Sequence, residues 1–114
     1  NKQYENARDT RDRLIEHNPD FRSSDGHLLY ARACEACGDK TKAREEYEAV
    51  TAYYAGAEAR ARFGRFLETE GDREAALAQY REILTAAELA PRHYRKAQKQ
   101  WINEAKSGVT RLQS

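Results

Sequence analysis

The residues best suited to chemistry in this 114-residue sequence are two cysteines and a nearby histidine. Cys34 and Cys37 have the spacing of metal-binding and redox pairs, and His27 lies seven residues before Cys34. A structural zinc ion usually needs four ligands from two such pairs, and the sequence holds no second pair. A redox pair needs a helix N-terminus to lower the thiol pKa, whereas these cysteines fall where a helix is expected to end. We therefore predict no metal and no cofactor, with Cys34 buried and Cys37 partly exposed.

The histidines and carboxylates show no pattern typical of catalysis. His17, His27 and His93 lie on three different predicted helices, and none is beside a Ser or Cys in a nucleophile motif. The acidic run at residues 45–48 has lysine or arginine neighbours about four residues away, which is typical of a solvated helix face. We therefore predict that the protein is not an enzyme.

A basic element closes the sequence, although the net charge is only +1. Residues 91–114 carry six basic side chains and one acidic side chain. Basic residues interleaved with Tyr94 and Trp101 could contact nucleic acid or an anionic membrane. The aromatic residues also recur at helical spacing, which favours packing of this helix on the preceding one, with the cations facing outward. We expect this element to be a structural cap that does not bind nucleic acid. The second interpretation is that it forms part of a partner-binding surface.

Helices must position these side chains, because helix-forming residues dominate and β-branched residues are sparse. The sequence has 34% charged residues and a mean hydropathy of −1.03, so each helix can bury only a narrow stripe. No apolar run approaches the ~18 residues that a membrane span requires. Gly, Pro and Asp punctuate the chain into six predicted helices, at 2–17, 24–37, 40–54, 57–70, 73–88 and 92–112.

An internal repeat is visible in the middle of the sequence, where several residue types recur at one constant offset. Each repeated glycine is expected to end a helix in the left-handed conformation, and each following aspartate is expected to cap the next helix. The recurring pairs are Gly38 and Gly71, Asp39 and Asp72, Ala43 and Ala76, Tyr47 and Tyr80, and Val50 and Ile83. The predicted buried faces also include Leu28, Ala31, Cys34, Phe63, Gly64 and Leu67.

At these positions the chain resembles the tetratricopeptide repeat family, whose unit is a helix–turn–helix of about 34 residues. The best copy is Phe63-Gly64, Leu67, Gly71, Ala76, Tyr80 and Ile83, and the second is Tyr30-Ala31, Cys34, Gly38, Ala43, Tyr47 and Val50. Two positions depart from the family pattern, because His27 and Arg60 stand where the family usually has Trp or another large apolar residue.

The resemblance implies an all-α fold of antiparallel helix hairpins, stacked as a short right-handed solenoid of about six helices. It divides a single domain over residues 1–114 into four parts. These are the second helix of a partial repeat at 1–19, repeats at 24–55 and 57–90, and a capping helix at 91–114. Because the sequence begins at Asn1 rather than Met, we expect it to be a segment of a longer chain.

The resemblance also implies binding rather than chemistry, with a partner's peptide or helix held in a groove lined by the first helices. Of the Lys, Asn and Arg set with which some members grip a C-terminal carboxylate, only Arg62 has a match. We expect an acidic peptide segment of another protein as ligand, with charge-steered, salt-sensitive association. The predicted groove residues are Arg32, Arg62, Arg65, Arg95 and Lys99.

The alternative is a self-assembly module that forms homo-oligomers through the ends of its solenoid. Helix 2–17 lacks its first-helix partner, so its apolar residues could seek another copy. Those residues are Tyr4, Ala7, Leu14 and Ile15.

The tail at residues 89–98 resembles the closing segment of small bacterial repeat proteins that carry a membrane-anchoring region upstream. This resemblance implies a cytoplasmic domain at the inner face of the membrane, with membrane contact only through the upstream region. Free thiols also fit a reducing cytoplasm.

Closure of so small an array requires the C-terminal helix, because two complete hairpins bury too little surface by themselves. Trp101 is the largest apolar side chain available, and we expect it to be the main anchor of that helix. With Tyr94 and Leu112 it is expected to cover Leu77, Tyr80 and Leu84.

Overall fold

The computed structural model describes residues 24–113, and over that range the chain is helical without strands. The helices are α1 (Ser24–Ala36), α2 (Lys40–Thr51), α3 (Glu58–Thr69), α4 (Arg73–Leu89), α5 (Arg92–Ala97) and α6 (Lys99–Gln113). The all-α prediction is confirmed over this range, and the first four of these helices begin and end within three residues of their predicted bounds. The predicted helix at 2–17 and its apolar residues lie outside the described residues.

The described residues divide into two compact units between Ala55 and Gly56. The first unit contains the α1–α2 hairpin, and the second contains α3 to α6. The division falls between the two predicted repeats.

The two hairpin turns have the same geometry, as their sequence repeat predicts. Gly38 and Gly71 have φ angles of 88° and 85°, a conformation that glycine adopts at no steric cost. The backbone N–H of Asp39 donates to the carbonyl five residues earlier at 3.0 Å, and that of Asp72 does so at 2.9 Å. Each aspartate side chain then accepts the N–H three residues later at 3.2 Å. The helix ends and caps predicted from the Gly-Asp pairs are therefore confirmed.

A buried tyrosine joins the two helices of each hairpin in the same way. The hydroxyl of Tyr47 donates to Glu35 Oε1, and that of Tyr80 donates to Glu68 Oε1, both at 2.6 Å. These hydrogen bonds satisfy the polar end of a side chain whose ring is almost wholly buried. The repeat therefore includes a glutamate that the sequence comparison did not identify.

The predicted core positions of the two hairpins are confirmed. All of the following residues are buried: Leu28, Ala31, Cys34, Ala43, Tyr47, Val50, Phe63, Gly64, Leu67, Ala76, Tyr80 and Ile83. Cys37 is partly exposed, also as predicted, and both cysteines are free thiols.

The prediction of one continuous helix over 92–112 is wrong, because the structure has two helices there, which are separated at Gln98. This residue has φ −99° and ψ 12°, outside regular helical geometry. Its side-chain Oε1 accepts the backbone N–H of Ala57 at 2.9 Å, so it contacts the chain just before α3. A hydrogen bond to a segment 41 residues away is a tertiary interaction that helix propensity does not report.

The ring of Tyr80 lies between glycines on two neighbouring helices. A Cβ atom placed on Gly64 of α3 would lie 2.7 Å from Tyr80 Cε1, and one on Gly108 of α6 would lie 2.5 Å from Tyr80 Cδ2. Carbon atoms normally approach no closer than ~3.5 Å, so only glycine fits at either place. Helix α4 therefore contacts both α3 and α6 through one aromatic ring.

The expectation that Trp101 is the main anchor of α6 is wrong. The buried residues of α6 are Ile102, Ala105 and Gly108, whereas Trp101 is only partly buried. Because Gly108 lets the backbone of α6 come against the Tyr80 ring, the centre of this contact needs a small residue rather than a large one.

Candidate functional site

Helices α3 and α6 run side by side in the same direction. Residues in and just before α3 contact residues that lie 39 to 43 positions later in the chain. Later residues of α3 contact later residues of α6, so the two helices are parallel. The parallel arrangement places the predicted cations of α3 next to side chains of α6. The pairs are Ala57 with Gln98, Arg62 with Trp101, Arg65 with Glu104, and Glu68 with Arg111.

Arg62, a predicted groove residue, is held by two contacts within the second unit. Its Nε donates to Glu58 Oε2 at 2.7 Å, one helical turn earlier. Its guanidinium carbon also lies 5.2 Å from the centre of the Trp101 ring, within range of a cation–π interaction. The partly exposed Trp101 is therefore covered on one side by an arginine.

Arg65, the second predicted cation on α3, forms an ion pair with Glu104 of α6. The Arg65 side chain is 53% exposed, whereas that of Glu104 is 19% exposed. Because a carboxylate of the same unit partly offsets each cation, Arg62 and Arg65 present less positive charge to a partner than the sequence suggested.

The other three predicted cations are exposed, and none of them forms an ion pair with an acidic side chain within residues 24–113. Arg95 donates from Nη1 to the carbonyl of Ala90 at 2.7 Å. Lys99 begins α6, and Arg32 lies on α1 in the first unit. Neither Lys99 nor Arg32 forms an ion pair with a described side chain. The structure thus brings Arg62 and Arg65 together on one helix and assigns Arg32 to the other unit.

A run of cations at residues 92–99, here called the basic segment, is broader than the prediction. It adds Arg92 and Lys96 to Arg95 and Lys99, contains no acidic residue, and is exposed at all four cations. Helix α5 has no buried residue, and neither Arg92 nor Lys96 is paired with an acid in the described part of the chain. The sequence already indicated these two residues, because Arg92 and Lys96 belong to the basic element at residues 91–114.

Glu68 accepts hydrogen bonds from two side chains of the second unit. Arg111 donates to it from Nη2 at 2.6 Å and from Nε at 3.1 Å, in addition to the Tyr80 hydroxyl. The hydrogen bonds from Arg111 hold the pKa of Glu68 below its ordinary value of 4.5. Burial, together with the adjacent Glu68 carboxylate, raises the pKa of Tyr80. The Glu68–Arg111 pair therefore stabilises the folded state in the ionised form.

This cluster predicts a specific acid sensitivity. Because the pKa of Glu68 is lower in the folded chain than in the unfolded chain, its contribution to stability is present above pH 4.5. We expect that contribution to disappear as the pH falls from 4.5 through the lowered pKa. Urea unfolding of the parent and of Glu68→Gln, measured at pH 7 and at several values below 4.5, tests this. The stability difference between the two proteins should shrink with acid.

The matched control is Glu82→Gln on the exposed face of α4. The stability difference between Glu82→Gln and the parent should change less over this pH range than the difference between Glu68→Gln and the parent. If the stability difference between Glu68→Gln and the parent does not change with pH, the result would contradict a lowered pKa for Glu68 in the folded chain.

A second polar cluster lies in the first unit, around His27. Its Nδ1 is 2.6 Å from the Tyr53 hydroxyl, and its Nε2 is 2.8 Å from Glu46 Oε1. Lys42 Nζ lies 3.7 Å from the other oxygen of Glu46. The hydrogen bond from His27 is the main reason that the pKa of Glu46 is below its ordinary value.

Sequence reasoning missed this cluster because its members are far apart in the chain. Tyr53 follows His27 by 26 residues, and Glu46 follows it by 19. The search for a nucleophile beside each histidine considered Ser and Cys, and the structure instead brings a tyrosine hydroxyl to the imidazole.

Within residues 24–113, no three His, Cys, Asp or Glu side chains are grouped so that they could hold a metal ion. None of the described helices has the length and apolar character needed to cross a membrane.

Comparison with known proteins identifies no relative. Neither the protein-family models, nor the curated proteins, nor the solved structures include a match to this chain.

Proposed function

We propose that this chain is a protein-binding module of the tetratricopeptide repeat type, which takes an acidic peptide segment of a partner protein. Two observations support a repeat module. The Gly38 and Gly71 turns share one geometry, and α6 lies parallel to α3 as a further first helix would. In this proposal the hairpins stack into a right-handed solenoid, and the first helices line the binding groove.

The proposal of an acidic ligand rests on the contrast between cations that form ion pairs with carboxylates and cations that do not. Arg62, Arg65 and Arg111 each lie against a carboxylate of the same unit. The basic segment lies against none among the described residues, so its field extends into solvent. A ligand with several carboxylates would gain most from this segment, with the α3 cations as additional contacts.

A peptide is favoured over a nucleic acid by the modest overall charge. Nucleic-acid-binding domains commonly have an isoelectric point above ~9 and an extended basic face. This chain has an isoelectric point near 8.0, and its basic segment is flanked by Glu88 and Glu104. The likeness of residues 89–98 to bacterial repeat proteins supports a cytoplasmic setting at the inner face of a bacterial membrane.

Charge reversal in the basic segment tests the proposal. The probe is a fluorescein-labelled synthetic peptide in which glutamates alternate with alanine and leucine, and binding is measured by fluorescence anisotropy. We expect Lys96→Glu/Lys99→Glu to weaken binding roughly tenfold, because two attractive contacts become repulsive. Binding of the parent should also weaken as salt is raised.

The matched control is Arg81→Glu/Lys106→Glu, which makes the same change in net charge at two other exposed positions. It should change the affinity less than about threefold. Equal losses in the two variants would show non-specific attraction and contradict the proposal. Tighter binding of an RNA oligonucleotide or of anionic phospholipid vesicles than of the peptide would also overturn it.

Self-assembly stays a prediction, because its motivating residues lie outside the described range. Light scattering over a concentration series measures it directly, and a monomer at every concentration would contradict it.

A further inference from the structure

The polar cluster of the first unit has the arrangement of an activated nucleophile. A hydroxyl lies 2.6 Å from one nitrogen of an imidazole, and a carboxylate lies 2.8 Å from the other. We propose that the hydroxyl of Tyr53 is a covalent modification site, which takes an acyl group from an activated acyl donor with His27 as its base. Glu46 acts as the positioning residue for His27.

The hydrogen bonds determine which nitrogen of His27 carries the proton. A carboxylate only accepts hydrogen bonds, so Nε2 must donate to Glu46. In the neutral imidazole Nδ1 is then unprotonated and accepts the hydrogen bond from the Tyr53 hydroxyl. This tautomer is the one that can remove the phenolic proton. The ionised state of Glu46, favoured by its lowered pKa, stabilises the imidazolium that forms.

Accessibility matches these roles. Tyr53 is 49% exposed, so a small reagent can approach it from solvent. The side chains of His27 and Glu46 are only 17% and 18% exposed, which limits their alternative positions and keeps the base oriented. The Tyr53 ring also lies against the imidazole, with ring centres 5.6 Å apart.

The reaction is a simple acyl transfer. The Tyr53 oxygen attacks the carbonyl carbon of the donor and forms an ester bond, while its proton passes to Nδ1 of His27. The bond between the acyl carbon and the leaving group breaks, and the leaving group takes the electron pair of that bond. The imidazolium then returns its proton to the leaving group, and no oxidant or reductant is required.

The adjacent residue provides a built-in comparison. The Tyr54 hydroxyl donates directly to a carboxylate oxygen, Asp25 Oδ1, at 2.8 Å, rather than to an imidazole. A carboxylate is a much weaker base toward a phenol than a neutral imidazole. Tyr47, in the core, is 1% exposed and should not react while the chain is folded.

Limited acylation followed by mass spectrometry tests the proposal. The probe is N-acetylimidazole in small excess at about pH 7.5. Trypsin then releases residues 45–60 as one peptide that contains all three tyrosines. Fragment ions assign the acetyl group, and cleavage by hydroxylamine identifies a tyrosine ester. We expect Tyr53 to react about tenfold faster than Tyr54, and Tyr47 to stay unmodified.

The pH dependence identifies the base. Among residues 24–113, the titratable and charged groups that face His27 are Glu46 and Lys42 from α2 and Tyr53 after it, and Asp25 precedes it by two residues on its own helix. Only a neutral imidazole can accept a proton, so acid is expected to lower the ratio of Tyr53 to Tyr54 acetylation. A ratio near one at every pH would overturn the proposal.

Two variants separate the base from the positioning residue. His27→Asn retains an acceptor near Nδ1 but supplies no base, so the ratio should fall by about threefold or more from its value in the parent. Glu46→Gln retains a hydrogen bond to the ring without the charge, so the ratio should fall only partly and its pH profile should shift. Protection of Tyr47 reports that each variant is folded. A folded His27→Asn protein with an unchanged ratio would overturn the proposal.

Discussion

Replacing Tyr80 with alanine is expected to lower the free energy of unfolding by about 3–5 kcal/mol. The side chain is 0% exposed, and its ring separates the backbones of α3 and α6 at two glycines. Neither glycine carries a side chain that could move into the space left behind, so the cavity would persist. A loss of this size is a large fraction of the ~5–15 kcal/mol that stabilises a typical domain.

Urea unfolding followed by circular dichroism measures the effect. The matched control is Leu89→Ala, because Leu89 belongs to the same helix but is 85% exposed. It should change stability by less than about 0.5 kcal/mol. Tyr80→Phe separates the ring from the hydroxyl, and loss of the hydrogen bond to Glu68 should cost about 1 kcal/mol. Similar small losses for Tyr80→Ala and Leu89→Ala would show that the ring is not held between the helices.

The second large effect is expected at the other side of the same ring. Gly108→Val should destabilise the chain by about 2–3 kcal/mol, because a Cβ there would lie 2.5 Å from two ring carbons of Tyr80. The ring cannot move away, since the backbone of Gly64 approaches so closely that an added Cβ there would lie 2.7 Å from Cε1. The overlap outweighs the gain of less than ~1 kcal/mol from removing a glycine inside a helix.

Ser107→Val is the control, because Ser107 is the exposed neighbour on α6 and the introduced side chain is the same. Its effect should stay within about 0.5 kcal/mol. The double variant Gly108→Val/Tyr80→Leu should lose less unfolding free energy than the two single variants lose together. The reason is that a shorter side chain at position 80 relieves the overlap with Val at position 108. Strict additivity would contradict direct contact between these two positions.

Much of the fold could be predicted because its signals are local in sequence. Gly38 and Gly71 end their helices in the left-handed conformation, and Asp39 and Asp72 cap the helices that follow. Turn and cap preferences depend on a few neighbouring residues, so they are visible without a structure. The prediction of an uninterrupted helix 92–112 was wrong because the Gln98 side chain binds the distant backbone before α3, and no local rule contains that contact.

The candidate site was less predictable than the fold. Sequence reasoning selected Arg62 and Arg65 as groove residues from their positions on a first helix, but not that Glu58 and Glu104 would pair with them. It also treated Trp101 as a buried anchor, whereas the structure places the Arg62 guanidinium over its ring. Membership in the tetratricopeptide repeat family and the binding of an acidic peptide stay predictions.

The sequence by itself determined the helices of the two hairpins, their buried faces and the repeat that relates them, because the spacing of apolar, glycine and capping residues controls these features. The tertiary structure alone decided which charges meet, and it brought His27 to Tyr53 and Glu68 to Arg111 across 26 and 43 residues. With 20 basic and 19 acidic side chains, the sequence permits many pairings of similar chemistry. Only the packing of particular helices, set in the second unit by glycine contacts with one tyrosine ring, selects among them.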